Sequence, residues 1–378
     1  MRIAVIGAGI SGLTLALSLA RRGFELDLFE RAETLEEVGA GIQLSPNASR
    51  ILLALGLGEE LGRCVVAPDK LQIGNGQRLN LLATLPLGEW AQARYGAPYW
   101  LIHRADLQDV LLKAVRKEAT VRLHLGAGVE AFDEQESGVA FEAAGTEHHA
   151  DLVVGADGLR SVVRRKLVSG ADPSSSTHVA WRVSIDVSAA PDWLDTSCTT
   201  LWMGPGWHVV YYPIRRGERL NIVAIEPQRA TGQSGPALSH AAPELTAFFG
   251  SETLRHKWLP WPLQTVDPSL AWTKGRAVLI GDAAHAMLPT AAQGGAMGIE
   301  DAATLSAELA GDGALSGKLA RYELSRKTRV RKVVSMAESN LQIYTMPSLV
   351  AGLRNTALLA LPGEVLMRRQ DWLYSFTA

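Results

Sequence analysis

The chain has 378 residues, 47% hydrophobic and 20% charged, the balance of an ordinary globular protein with length enough for more than one domain. A formal net charge of −2 sets aside nucleic acid as a partner, which needs a basic domain or stripe. Two distant cysteines, Cys64 and Cys198, without a CxxC, and nine scattered histidines set aside a metal site and point to free, buried thiols in a reducing compartment.

The first element is a strand, Ile3 to Ile6, a continuous apolar run of the kind found in buried parallel sheets. No charged n-region with an apolar h-region precedes it, so no signal peptide is expected and the protein is placed in the cytoplasm. Gly7-Ala-Gly9-Ile-Ser11-Gly12 follows, then a helix with Leu13, Ala16, Leu17 and Ala20 at helical spacing, stopped by Arg21-Arg-Gly23. A second strand, Phe24 to Phe29, ends in Glu30. Gly7 permits the tight turn, Gly9 lets backbone approach a pyrophosphate, and Gly12 lets helix and strand pack closely. The free N–H groups at the helix start favour phosphates, and Glu30 is placed to accept from ribose hydroxyls. FAD and NAD look alike at such a site.

Two further strand-turn-helix blocks follow. Asp151-Leu-Val-Val-Gly155-Ala-Asp157-Gly158 leads into a helix that starts near Arg160 and Arg164, two candidate phosphate contacts. Gly275-Arg-Ala-Val-Leu-Ile-Gly281-Asp282-Ala-Ala-His285 ends in an acid where open sheets bind ligands. Downstream, Pro289 and Gln293-Gly294-Gly295-Ala296 precede a helix running to about Leu309. Its N-terminus would stabilise the negative charge of a reduced flavin at the N1–C2 edge, by up to about 2 kcal/mol when partly buried.

Between residues 174 and 267 the pattern changes to short strands, Thr177–Val187, Cys198–Met203, Trp207–Ile214 and Arg219–Glu226, read as an antiparallel meander. Residues 71–90 add strands to it. On Trp207–Ile214, alternation puts His208, Val210 and Tyr212 on one face and Tyr211 on the other. A histidine and a phenol on one face form a candidate proton relay, and Arg182 is a candidate partner for a substrate carboxylate. Arg326 to Lys332 reads as a solvated basic helix face. The apolar stretch Leu349 to Met367 is broken by Arg354, Pro362 and Glu364, so no stable membrane insertion is expected.

Taken together, the blocks resemble the FAD-dependent aromatic hydroxylases of the p-hydroxybenzoate hydroxylase fold, in particular the salicylate hydroxylase and 6-hydroxynicotinate 3-monooxygenase branch. The resemblance rests on the three blocks above, on Gly39-Ala-Gly-Ile-Gln43-Leu-Ser-Pro-Asn47 and Ile102-His-Arg104-Ala-Asp-Leu-Gln108, and on the closing Asp371-Trp-Leu-Tyr374. It implies an α/β fold: a Rossmann-like FAD-binding domain (1–70, 98–173 and 268–340), a mixed or antiparallel-sheet substrate domain (71–97 and 174–267) and C-terminal helices (341–378). It implies FAD as cofactor, NADH or NADPH as co-substrate, and hydroxylation of a small aromatic by O2 through a flavin C4a-hydroperoxide. The FAD contacts would be Gly7, Gly9, Ser11, Gly12, Glu30, Arg31, Gln43, Arg104, Asp157, Asp282, Pro289, Gly294, Gly295 and Ala296. The substrate contacts would be Gln43, Arg182, His208, Tyr212 and Pro289, with Tyr212 and His208 as the catalytic pair. Gln43 stands where the nicotinate-hydroxylating members carry a histidine, which points away from hydroxynicotinate. A homodimer is compatible with the resemblance. Alternatives are a quinone-pathway hydroxylase at a membrane surface and a flavin-binding regulator without turnover.

Overall fold

The computed structural model describes residues 1–35, 40–135, 138–168, 170–229 and 234–377, so Gly39 lies outside the described residues. The apolar runs build a six-stranded sheet in the order Thr273–Lys274, Ala277–Leu279, Leu152–Gly155, Ile3–Ile6, Leu26–Phe29, Val121–His124. All neighbours are parallel except the short hairpin at the Thr273–Lys274 edge. The four residues of Ile3–Ile6 are buried on both faces, as a central parallel strand requires. The fingerprint helix, Ile10–Ala20, and the crevice helix, Gly294–Ala310, pack together over this sheet. A three-stranded antiparallel ribbon, Val129–Gln135, Gly138–Ala143 and Thr146–Ala150, forms a separate sheet.

The second layer is a seven-stranded sheet in the order Leu259–Thr265, Ser174–Asp186, Arg219–Pro227, Trp207–Ile214, Thr199–Gly204, Lys70–Asn75, Asn80–Pro86. Thr199 to Pro227 runs as the expected meander, but Ser174–Asp186 does not begin it. That strand pairs with Arg219–Pro227 at the far side, because the chain between residues 187 and 198 carries it across. The sheet is mixed, since Thr199–Gly204 runs parallel to Lys70–Asn75. One face packs Trp181, Trp202, Trp207 and Tyr211 against the helix Pro243–Phe249 and Trp258. The other face is left for a cavity.

A two-stranded ribbon, Gly41–Leu44 with Trp100–His103, joins the layers. The Asn221 side-chain Oδ1 accepts from the Gly41 N–H at 2.7 Å, tying this ribbon to the seven-stranded sheet. The long helix Leu315–Tyr344 runs past the expected boundary at 340, and Ser348–Ala360, Gly363–Arg368 and Asp371–Tyr374 complete the chain. No described helix is long and apolar enough to cross a membrane.

Candidate active site

The three nucleotide blocks, far apart in sequence, meet at one point. A Cβ on Gly7 would lie 2.4 Å from the Ala156 carbonyl oxygen, so the first turn sits directly on the second block. Gly7 also has φ +104°, which disfavours any side chain. The Ser11 hydroxyl fills the space beside Gly281 and Gly298, where added Cβ atoms would approach it to 2.4 and 2.1 Å. A Cβ on Gly12 would fall 1.9 Å from the Gly7 carbonyl. Gly9 differs: a Cβ there meets no protein atom within 4 Å. The fingerprint thus uses two glycines for protein packing and one to keep space open beside the helix N-terminus.

That space is the start of a cavity of about 1050 Å³ running from the end of the parallel sheet to the seven-stranded sheet. Gly7, Gly9, Ser11, Glu30, Arg31, Gln43, Arg104, Asp157, Asp282, Pro289, Gly294 and Gly295 all line it, as do Arg182, His208 and Tyr212. Gly12 and Ala296 do not. Both are buried behind the wall, Gly12 by its contact with Gly7 and Ala296 because it points into the core. Glu30 accepts from the Ala8 and Ala32 N–H groups at 2.8 and 3.0 Å, which holds its carboxylate at the cavity rim.

Asp157 lines the cavity, and its carboxylate is also engaged within the protein. Its carboxylate accepts from the Ser161 hydroxyl at 2.6 Å and the Val162 N–H at 2.7 Å, capping the helix Val162–Leu167, although burial raises its pKa. Arg164 is not a phosphate contact: it is fully buried and donates to the carbonyls of Ala171, Ala283 and Leu159. Arg160 does line the cavity.

The residues present fit FAD. An open space at Gly9 accommodates a pyrophosphate, an acid stands at the second strand end, Asp282 lines the middle, and the Gly294 helix N-terminus faces the far end. Around that end, Tyr99 donates to the Gln43 side-chain oxygen, and Pro289 to Ala292 form the adjacent wall.

On the seven-stranded sheet the expected alternation holds. His208, Val210 and Tyr212 face the cavity, while Tyr211 packs into the opposite core. His208 is 2% exposed, its Nδ1 lacks a protein partner, and burial takes its pKa down to about 3, so the ring is neutral. Its ring lies 5.3 Å from that of Tyr344. Burial raises the Tyr212 phenol well above its ordinary value; Arg182 and Gln43 act in the opposite sense. Gly41 must be glycine here, since a Cβ would sit 2.5 Å from the Tyr212 ring. The Arg182 guanidinium lies 5.1 Å from the centroid of Trp261, and its Nε is buried with no hydrogen-bond partner. Burial lowers its pKa. A buried cationic donor on a cavity wall, with no hydrogen-bond partner at Nε among the described residues, can pair with an anion.

Sequence reasoning missed what supports the wall. Glu300 and Asp301 on the crevice helix are fully buried and pair with Arg326 at 2.6 and 2.7 Å. Asp301 also meets His285 at 2.5 Å, and Arg329 meets Glu300 at 2.6 Å. Burial alone would raise the Asp301 carboxyl, but His285 and Arg326 bring it to about 2. Asn47 donates to Glu300 and to Gln293, the residue preceding the crevice helix. Arg329 further donates to the carbonyls of Trp372 and Leu373, and Lys332 stacks on Trp372 at 3.9 Å. Within the basic run read as a solvated face, Arg326 and Arg329 are therefore turned inward onto Glu300 and Asp301, while Thr328, Arg331 and Lys332 stay exposed as expected. Its partners are remote in sequence, so only a buried acid pair inside an otherwise small-residue helix hinted at it.

The family model described as FAD binding domain matches residues 1–337. Over 389 residues the chain is 34% identical to 3-hydroxybenzoate 6-hydroxylase 1 of Aquipseudomonas alcaligenes, with 98% of this chain and 97% of the relative covered. A salicylate hydroxylase substrate complex superposes with a TM-score of 0.80 at 25% identity, covering 100% of this chain and 96% of the other. HpxO of Klebsiella pneumoniae, complexed with FAD and uric acid, has a TM-score of 0.86 at 24% identity, with 99% and 96% covered. The last supports the fold alone.

Proposed function

The chain belongs to the FAD binding domain family and is an FAD-dependent aromatic monooxygenase, and we propose that its substrate is a hydroxylated aromatic carboxylate held between Arg182 and the His208–Tyr212 strand. Its relatives include 3-hydroxybenzoate and 6-hydroxynicotinate hydroxylases, both named for small ring acids. The carrying observation is the buried Arg182 Nε, without a hydrogen-bond partner among the described residues, on the same cavity wall as Tyr212 and His208. Arg182 lies opposite Val223, and Val223 opposite Val210, with Tyr212 two residues further along the same strand, so Arg182 and Tyr212 are two strand spacings across and two residues along, about 12 Å between backbones. One benzenoid acid fits between two side chains reaching inward from that distance.

Bound FAD supplies the acceptance of a hydride from NAD(P)H and the activation of O2. The protein's own part is positioning and proton control. Gly294 and Gly295, at a helix N-terminus on the cavity wall, would hold the ring system, and Asp282 would hold the chain that links it to the pyrophosphate. Arg182 fixes the carboxylate, which orients the ring. The Tyr212 hydroxyl, which burial keeps protonated, donates a hydrogen bond that stabilises the ionised, electron-rich form of the substrate oxygen, and the neutral His208 ring on the same wall is the group that accepts the released proton. The apolar wall of Leu201, Val210 and Val223 excludes water from the reacting carbon.

Titration of yellow holoenzyme with 3-hydroxybenzoate, salicylate and their uncharged amides tests this reading. The acids should bind and be hydroxylated with NAD(P)H consumption. In Arg182→Met the affinity for acids should fall at least 30-fold, while the amides change less than threefold. Equal loss for acids and amides refutes the carboxylate assignment.

A further inference from the structure

The cavity wall on the seven-stranded sheet is longer than a single ring needs. Strand register places Arg182, Val223, Val210, Leu201 and Ile73 in one unbroken row across five neighbouring strands. All five line the same cavity. Four strand spacings separate the ends of that row, about 19 Å. A ring acid anchored at Arg182 and reaching Tyr212 covers roughly the first two spacings, about 10 Å. The remaining half carries no charged group on the row itself.

That second half is roofed by other apolar side chains. Leu71 and Ile73 come from Lys70–Asn75, Leu85 from Asn80–Pro86, Leu358 from Ser348–Ala360, and Leu366 and Met367 from Gly363–Arg368. Leu71, Ile73 and Leu358 are only partly buried by protein although they belong to interior clusters, so part of their surface faces the cavity. Tyr99 has its hydroxyl committed to Gln43, and Tyr95, behind the wall, donates to Asp371 at 2.9 Å. Those two phenols are therefore committed, while Tyr344, Arg369, Gln370 and Tyr374 add polar groups to the lining of the cavity beside this apolar cluster.

We infer that this chamber is an apolar subsite for a substituent on the substrate ring, an alkyl chain or second ring projecting from the edge opposite the carboxylate. The inference rests on the proposed anchoring at Arg182 for its direction, and on the row of side chains for its existence. The natural substrate is then a substituted aromatic acid larger than a hydroxybenzoate. Burial of apolar surface is the recognition, at about fourfold in affinity per methylene (about 0.8 kcal/mol).

Isothermal titration of the holoenzyme with two homologous series tests it. One is 3-hydroxybenzoate bearing methyl, propyl or butyl at position 4; the other is the matching series of 2-alkylphenols without a carboxylate. Butyl should bind at least tenfold tighter than methyl in both, with a more negative heat-capacity change. Butyl at position 2, beside the carboxylate, should show no such gain. Ile73→Phe and Leu358→Phe, which fill the chamber, should bring the butyl-to-methyl ratio towards unity. A flat chain-length series in both families overturns the subsite, as does a ratio that survives both filled variants. A gain in the phenols alone keeps the subsite and instead refutes the Arg182 anchor.

Discussion

At the residue scale the site depends on two side chains held in unusual states by burial. His208 is neutral because the folded protein resists its protonation down to about 3, whereas the unfolded chain takes a proton near 6.5. A depressed basic group of this kind costs stability as pH falls. Between about pH 6.5 and 3 the unfolded state binds one proton more, so stability drops by roughly 1.4 kcal/mol per pH unit from this residue. Urea denaturation of wild type and His208→Gln at pH 7 and pH 5 should therefore show the wild type losing about 2 kcal/mol more than the variant. Equal losses refute a buried neutral histidine. Tyr212 faces the opposite constraint, since burial keeps its proton on. Tyr212→Phe should bind substrate within threefold of wild type, yet lower the hydroxylation rate at least 100-fold while NAD(P)H oxidation continues to hydrogen peroxide. Both residues were legible in the sequence because strand alternation separates them cleanly from Tyr211. The surroundings of Arg182 were not, since Trp261 reaches it from an edge strand 79 positions on.

At the element scale, the strand-turn-helix fingerprint assigns different work to each glycine. Gly9→Ala places its methyl in space free of protein, with φ at an ordinary −72°. The apoprotein should keep its stability within about 0.5 kcal/mol, while FAD affinity falls at least tenfold, measured by flavin fluorescence. Gly12→Ala drives a methyl into the Gly7 carbonyl and should lower both apoprotein stability and FAD retention. Equal effects of the two substitutions contradict this division. Such elements read well from sequence because their signals are local: an apolar run, a turn, a helix stop. The ribbon was missed because its two outer strands, Val129–Gln135 and Thr146–Ala150, are largely exposed and acid-bearing with weak alternation, although Gly138–Ala143 between them is mostly buried. The far placement of Ser174–Asp186 was missed because strand order depends on a crossover that no local pattern records.

At the scale of the whole molecule, the crevice helix is held against the long helix by a buried set of charges rather than by apolar packing alone. Arg326→Leu leaves Glu300 and Asp301 buried with less compensation, and removing one partner of a buried pair costs about 3–5 kcal/mol. Denaturant unfolding should show a loss of that size, and the triple variant that adds Glu300→Gln and Asp301→Asn should recover part of it. The C-terminal segment closes the chamber through Asp371, which takes the Arg94 guanidinium and the Tyr95 hydroxyl. Asp371→Ala should raise the ratio of hydrogen peroxide to hydroxylated product, read with an oxygen electrode and catalase, because water reaches the reacting ring. These long-range ties were hidden in the sequence for one reason: each joins residues separated by 25 to 277 positions.

The order of strands in the parallel sheet has a consequence for biosynthesis. Ile3–Ile6 is flanked by Leu26–Phe29 on one side and Leu152–Gly155 on the other, and the latter waits for Ala277–Leu279. A growing chain therefore holds an unfinished sheet edge from residue 155 until residue 279 has emerged. At ordinary elongation rates that interval lasts about 6–25 s. During it the most apolar strands of the protein are open to pairing with other chains, so expression at reduced temperature with chaperone present should raise the soluble yield more than any surface substitution.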